Sequence, residues 1–152
     1  MIYLILAVVY VIFDQLTKWV IVSNIPYASG IRICDYLNIV HITNTGVAFS
    51  MFQGANHIFL VLTLLVISGV IIYVFKYKQE LTKLQIHSMV LIISGGLGNL
   101  TDRIFRGAVI DFIDVGYKNI YRWPSFNFAD SCVCVGVALF IISMLFQKKD
   151  KQ

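Results

Sequence analysis

The chain has 152 residues, of which 59% are apolar and only 13% charged, with a mean hydropathy of +0.81. Soluble domains carry roughly 25% charged residues, and a chain this short has too much surface to hide so much apolar side chain in one core, which excludes an ordinary water-soluble globule. The net charge of +4 comes from 12 Lys and Arg against 8 Asp and Glu, placed at helix ends and loops as in a membrane protein, so no nucleic-acid partner is expected. Cys34, Cys132 and Cys134 are odd in number and lack C-x-x-C spacing, which indicates neither a disulfide framework nor a zinc site.

A helix needs ~20 mostly apolar residues to cross a bilayer, and four stretches qualify: 2–22, 57–75, 86–105 and 128–146. The first has no Lys or Arg ahead of its apolar run and no small-x-small cleavage site, and Asp14 and Lys18 interrupt its far half, so it reads as a retained helix rather than a secretory signal. Residues 23–56 are too long for a plain connector. Within them Ile31-Arg32-Ile33-Cys34 and Leu37-Asn38-Ile39-Val40-His41-Ile42 alternate well enough for a short β-hairpin lying on the membrane surface. The second span carries no charge and reads as purely structural, while the others carry polar or ionised residues toward one end. With no repeat, low-complexity run or second domain, residues 1–152 read as one membrane-embedded domain.

Orientation follows from basic residues in short loops. Lys76, Lys78 and Lys83 crowd the link between spans two and three, and Lys148, Lys149 and Lys151 crowd the tail, which puts both in the cytoplasm and, with four spans, the N-terminus too. Six basic residues lie on the other side (Lys18, Arg32, Arg103, Arg106, Lys118 and Arg122), but they are spread over two long loops and helix ends. Glu80 and Asp150 fall inside; Asp14, Asp35, Asp102, Asp111, Asp114 and Asp130 all fall outside. Any chemistry therefore faces out.

An ionisable residue within a span costs ~2.5–3.5 kcal/mol on insertion scales, so each needs a reason. On span three, Gly95, Gly98, Asn99, Asp102 and Arg106 share one helical face; on span four, Asn127, Asp130, Ser131, Cys134 and Ala138 do the same; on span one, Asp14 stands one turn from Lys18. The glycines read as close-packing residues, since no G-x-x-x-x-G-K-[ST] follows them. Asp14 and Asp102 admit two readings: functional carboxylates, or ties between helices through Lys18, Arg103 or Arg106. Asp111 and Asp130 stand at the outer ends of adjacent spans, set to converge. His41, His57 and His87 are scattered, and neither H-E-x-x-H nor G-x-S-x-G occurs. Cys132 and Cys134 read as buried, inert thiols, and Tyr36, Tyr117, Tyr121 and Trp123 as an interfacial aromatic belt. What remains is acid–base chemistry by two aspartates. Two neighbouring carboxyls share a proton, because they cannot both ionise easily; the ionised one can then take a proton from water while the other protonates a scissile carbonyl.

Five blocks then fall into a known order: Asp14-Gln15-Leu16-Thr17-Lys18; Asn44-Thr45-Gly46-Val47-Ala48-Phe49-Ser50; Gly95-Gly96-Leu97-Gly98-Asn99-Leu100-Thr101-Asp102-Arg103; Val109-Ile110-Asp111-Phe112-Ile113-Asp114; and Trp123-Pro124-Ser125-Phe126-Asn127-Phe128-Ala129-Asp130-Ser131. In these blocks the chain closely resembles the lipoprotein signal peptidase (signal peptidase II) family over essentially its whole length, with small departures such as Val47 and Thr101. The resemblance implies an all-α integral membrane fold of four transmembrane helices, with a small extracytoplasmic β-cradle between helices 1 and 2. It implies an aspartic endopeptidase of the bacterial cell (inner) membrane, working as a monomer without metal or cofactor, its active site near the outer face. Its partners would be membrane lipids and lipid-modified prolipoproteins, cleaved before the diacylglyceryl cysteine. Carried over by motif, Asp111 and Asp130 are catalytic, Asn44, Asn99, Arg103 and Asn127 bind substrate, and Asp14, Lys18 and Asp102 support them. An ion carrier would want a polar relay through the apolar inner halves, and a structural factor would not need the Asp111 and Asp130 pair. The other intramembrane aspartyl class uses G-x-G-D, where this chain reads Gly96-Leu97-Gly98-Asn99.

Overall fold

The computed structural model describes residues 1–46, 54–117 and 120–149, with side chains through 146. Residues 47–50 of the second motif block, Lys118, Asp150 and Lys151 lie outside the described residues, as do the side chains of Lys148 and Lys149. In chain order the elements are α1 (Ile2–Asn24), β1 (Gly30–Arg32), β2 (Leu37–Asn44), α2 (Asn56–Tyr77), α3 (Lys83–Phe105), β3 (Val109–Tyr117), β4 (Tyr121–Arg122) and α4 (Phe128–Lys149).

The helix α3 is the centre against which α1, α2 and α4 all pack. It starts on a capping box, the Thr82 side chain accepting from Gln85 N–H and the Gln85 side chain from Thr82 N–H. Its glycines admit the neighbours closely: a Cβ on Gly98 would stand 2.6 Å from Asp14 Oδ2 and 3.1 Å from Ala129 Cβ. Among the described residues α1, α2 and Phe128–Phe146 of α4 are long and apolar enough to cross a membrane. The helix α3 has the length, 23 residues or about 34 Å, but falls short on apolarity. Gln85, Ser88, Ser94, Asp102 and Arg103 are buried among its neighbours rather than offered to lipid.

A sheet forms as expected, but not only between α1 and α2. It has four antiparallel strands in the order β1-β2-β3-β4, and two of them come from the segment between α3 and α4. The β2–β3 register sets Ile42 opposite Asp111 and Asn44 opposite Val109. Ile21, Ile25, Ile110 and Phe112, with Ile39, Ile113 and Phe128 against them, form an apolar cluster that seats the sheet on the end of α1 and the start of α4. Backbone N–H groups of Phe112 and Ile113 donate to Phe126 O, which ties the approach to α4 alongside β3. Asp111 and the first turn of α4 are thereby brought to one place.

Candidate active site

Asp111 is the third residue of β3 and is buried, with 4% exposure. Asn44, at the end of the neighbouring strand, donates from Nδ2 to Asp111 Oδ2 at 3.1 Å, and Asn127 donates from Nδ2 to Asp111 Oδ1 at 2.8 Å. Asp130 lies in the first turn of α4. It makes a reciprocal pair with Asn127 just before that helix: Asp130 N–H donates to Asn127 Oδ1 at 2.9 Å, and Asn127 N–H to Asp130 Oδ2 at 3.1 Å. The other oxygen, Oδ1, accepts from Asn99 Nδ2 at 2.7 Å. Asn127 Nδ2 also donates to Asn99 Oδ1 at 3.1 Å, so this buried carboxamide touches both acids and the asparagine between them.

Burial is the main force that pushes the Asp111 carboxyl up to about 7, and the charge of Asp130 adds to it; the hydrogen bonds from Asn44 and Asn127 and the charge of Lys18 pull the other way. Near neutral pH Asp111 is therefore poised between its protonated and ionised forms.

Beneath the acids lies a second cluster. Lys18 is fully buried, and its ammonium reaches Asp14 Oδ2 at 2.8 Å, Asp102 Oδ2 at 2.8 Å and Asn99 Oδ1 at 3.0 Å. Asp14 Oδ1 accepts from Ala129 N–H at 3.0 Å, and Asp102 accepts from Ile110 N–H and pairs with Arg106. Of the two readings open for Asp14 and Asp102, this is the geometry of the tie: each joins α1 or α3 to a neighbouring element, and neither lines the cavity described next. Arg103 does not join them in an ion pair among the described residues; its NH2 donates to Gly46 O at 2.9 Å, and its guanidinium stands 5.7 Å from the Phe59 ring centroid. Its Nε and Nη1 are buried without a hydrogen-bond partner among the described residues.

A cavity of about 790 Å³ opens against these groups. Asn44, Asn99, Arg103, Asp111 and Asp130 make its polar end; Phe59, Leu62, Val66 and Ile67 of α2, Val133 and Val135 of α4, and Trp123, Pro124 and Phe126 make its apolar walls. A smaller hollow on the sheet, lined by Ile31, Arg32 and Val40 among others, contains neither acid. Two sequence readings need correcting. The second span is not purely structural, because α2 forms a wall of the cavity and its first residue, Asn56, donates to Arg103 O. Cys134 is not buried: it is exposed and lines the cavity, whereas Cys132 is buried.

Sequence reasoning passed over Gln15, whose Nε2 donates to Asp14, Gly98 O and Asp102, although its place beside Asp14 on the polar face was a signal. It also passed over the Asn38–Asp114–Arg122 cluster that clips β2, β3 and β4 together. No local spacing could have shown that cluster.

Comparison with known proteins finds relatives along the length of the chain. The family profile described as signal peptidase (SPase) II matches residues 6–146. A lipoprotein signal peptidase of Bacillus pumilus (strain SAFR-032) is 41% identical over 154 residues, covering 100% of this chain and 98% of the relative. Another, of Thermodesulfovibrio yellowstonii, is 39% identical over 132 residues, covering 87% and 86%. Two solved structures described as bacterial membrane enzymes superpose with TM-scores of 0.87 and 0.81 at 31% and 32% identity. The first match covers 99% of this chain and 91% of its counterpart, the second 94% and 92%. With its membrane-length apolar helices the protein is a multi-pass membrane protein, and it belongs to the signal peptidase II family.

Proposed function

We propose that the protein removes signal peptides from diacylglyceryl-modified prolipoproteins, cutting before the lipidated cysteine with Asp111 and Asp130 as a general acid–base pair. The observation that carries this reading is the meeting of two carboxyls, each oriented by asparagine carboxamides, at the polar end of an apolar cavity. Asp130, in the first turn of α4, has the helix N-terminus beside it and takes the role of the base. Asp111, buried and raised to about 7, is suited to carry the proton.

In this reading Asp130 takes a proton from water as the water oxygen bonds to the scissile carbonyl carbon, and Asp111 gives its proton to the carbonyl oxygen. The tetrahedral diol then returns that proton to Asp111 as the C–N bond breaks. Asp130 passes its proton to the leaving amine of the cysteine, so both acids regain their starting states. The Nε and Nη1 groups of Arg103, unpartnered among the described residues, and the Asn44 carboxamide would hold the peptide backbone across the site. Incubating the purified protein in detergent with a lipidated prolipoprotein should release a signal peptide whose carboxyl terminus is the residue before the cysteine, read by mass spectrometry. A cut elsewhere, or none from folded protein, would overturn the proposal.

We also read α3 as a fourth span, since its polar side chains are shielded by three neighbouring helices, with both termini cytoplasmic and the acids near the outer face. The support is the basic cluster at Lys76, Lys78 and Lys83 opposite the segments that carry the sheet. In a background lacking the natural cysteines, an impermeant thiol reagent added to intact cells should label Arg32→Cys and spare Lys78→Cys until the membrane is opened. Labelling of both from outside would refute the topology.

A further inference from the structure

A lysine that only tied two helices together would need the two carboxylates it pairs with and nothing more. Lys18 has three N–H donors and no acceptor, and it spends them on Asp14, Asp102 and the side-chain oxygen of Asn99. The third bond is the unexplained one, because Asn99 is the residue whose Nδ2 donates to Asp130.

From this we infer that Lys18 is a positioning residue for the dyad, acting through Asn99. This rests on the reading of Asp111 and Asp130 given above. A carboxamide is nearly symmetric in shape, so its neighbours decide which end faces which way. Lys18 can only donate, so the end of Asn99 that faces α1 must be oxygen, and the NH2 end must face Asp130. Asn127 Nδ2 donates to the same oxygen at 3.1 Å, but it is a neutral donor that also serves Asp111. The bond from Lys18 carries the full charge, and charge-assisted hydrogen bonds are roughly twice as strong as neutral ones. Polarised from the oxygen side, the Asn99 N–H groups bind the Asp130 carboxylate more firmly than a free amide would. The charges that face this lysine are Asp14 on its own helix and Asp102 on α3, with Arg106 on the far side of Asp102 and Asp111 of β3 within reach of its field but not bonded to it. Arg106 supplies the second positive charge, so Lys18 can give one N–H to a neutral amide without leaving a carboxylate unpaired.

The test is a double-mutant cycle on the full-length protein in detergent, reading kcat and KM for a lipidated prolipoprotein per unit of folded enzyme. Lys18→Met should lower kcat about tenfold with KM nearly unchanged, the low end of what losing a hydrogen bond to a charged group costs. In an Asn99→Ala background the same substitution should change kcat by less than about twofold, because the pathway is already cut. A tenfold loss in both backgrounds, or no loss in either, would overturn the inference. Should Lys18→Met fail to fold because it strands two carboxylates, the cycle is run with Asp102→Asn in every member, which removes one of them, and the same outcomes decide. The dyad reading fails separately, if Asp130→Asn keeps wild-type kcat; the inference alone fails if Asn99→Ala lowers kcat and Lys18→Met lowers it again by as much.

Discussion

Asp111→Asn and Asp130→Asn will each abolish measurable turnover while leaving a folded, detergent-soluble protein. Losing a general acid or base costs about 10²–10⁴-fold in rate, and members of a unit that act together cost more than their separate parts. The surroundings sharpen the expectation. Each carboxyl accepts N–H donors on both of its oxygens, from Asn44 and Asn127 on Asp111 and from Asn99 and the Asn127 backbone on Asp130. An asparagine side chain presents one NH2 end to such a donor, so it must displace a partner as well as lose the group that gives or takes the proton. The fold should survive, because Asn127 Oδ1 still accepts from the backbone N–H of residue 130. Asp130 also has a purely structural reading, as the acidic member of a helix cap, and losing a cap costs only ~1 kcal/mol without touching kcat. A variant that keeps more than about a tenth of the wild-type rate would establish that structural role instead.

The same pair gives the pH dependence its sign. Asp111 keeps in the folded protein a proton that an ordinary aspartate releases near 3.8, and it gives that proton up only at about 7. Between those values the folded state binds more protons than the unfolded one, so stability falls as pH rises through this window and levels off above it. The shift corresponds to about 4 kcal/mol at most. Thermal midpoints measured in detergent at pH 5 and pH 8 should therefore fall for the wild type and hold level for Asp111→Asn. In the proposed mechanism kcat should decline above about pH 7, as Asp111 gives up the proton it must donate.

The helices were legible because hydropathy over twenty residues is a local property, and α1, α2 and α4 match the expected spans to within three residues at their shared ends. The sheet was half legible. The strand β2 alternates, but β3 carries Asp111 and Asp114 three residues apart and buries its first four residues in succession, which hides any period of two. Its partner β2 is about seventy residues away in sequence, and no local pattern records a pairing of that span. The site shows the same division. Asp14 and Lys18 are an i,i+4 pair that spacing reveals, whereas the bond from Lys18 to Asn99 crosses from α1 to α3. Arg103 lines the cavity with the acids, but its hydrogen bond to Gly46 O, which joins α3 to the chain just after β2, has no signature in local spacing. Motif order singled out Asn44, Asn99 and Asn127; only the fold shows which acid each one touches.

A precursor peptide that lacks its diacylglyceryl group will be cleaved poorly or not at all, although every peptide contact remains available to it. The reason lies in the shape of the cavity, whose polar end is a small cluster of asparagines, Arg103 and the two acids, while its walls from α2, α4 and the Trp123–Pro124 turn are apolar. Polar groups there can orient a backbone, but they offer a peptide little apolar surface of its own kind to exchange for leaving water. Each buried CH₂ of an acyl chain contributes ~0.8 kcal/mol, so two chains hold the cysteine at the depth of the interface and raise its local concentration by many orders of magnitude over a free peptide. In the proposed orientation that depth is where β3 and the first turn of α4 bring Asp111 and Asp130 together. In the proposed reaction lipid supplies the binding energy and the asparagine-held acids supply the chemistry, which places the expected loss chiefly in kcat/KM. Initial rates in one detergent, with lipidated and unlipidated precursor at matched concentrations, measure it directly. Equal rates would show that peptide sequence alone is read, and the cavity would then need another occupant.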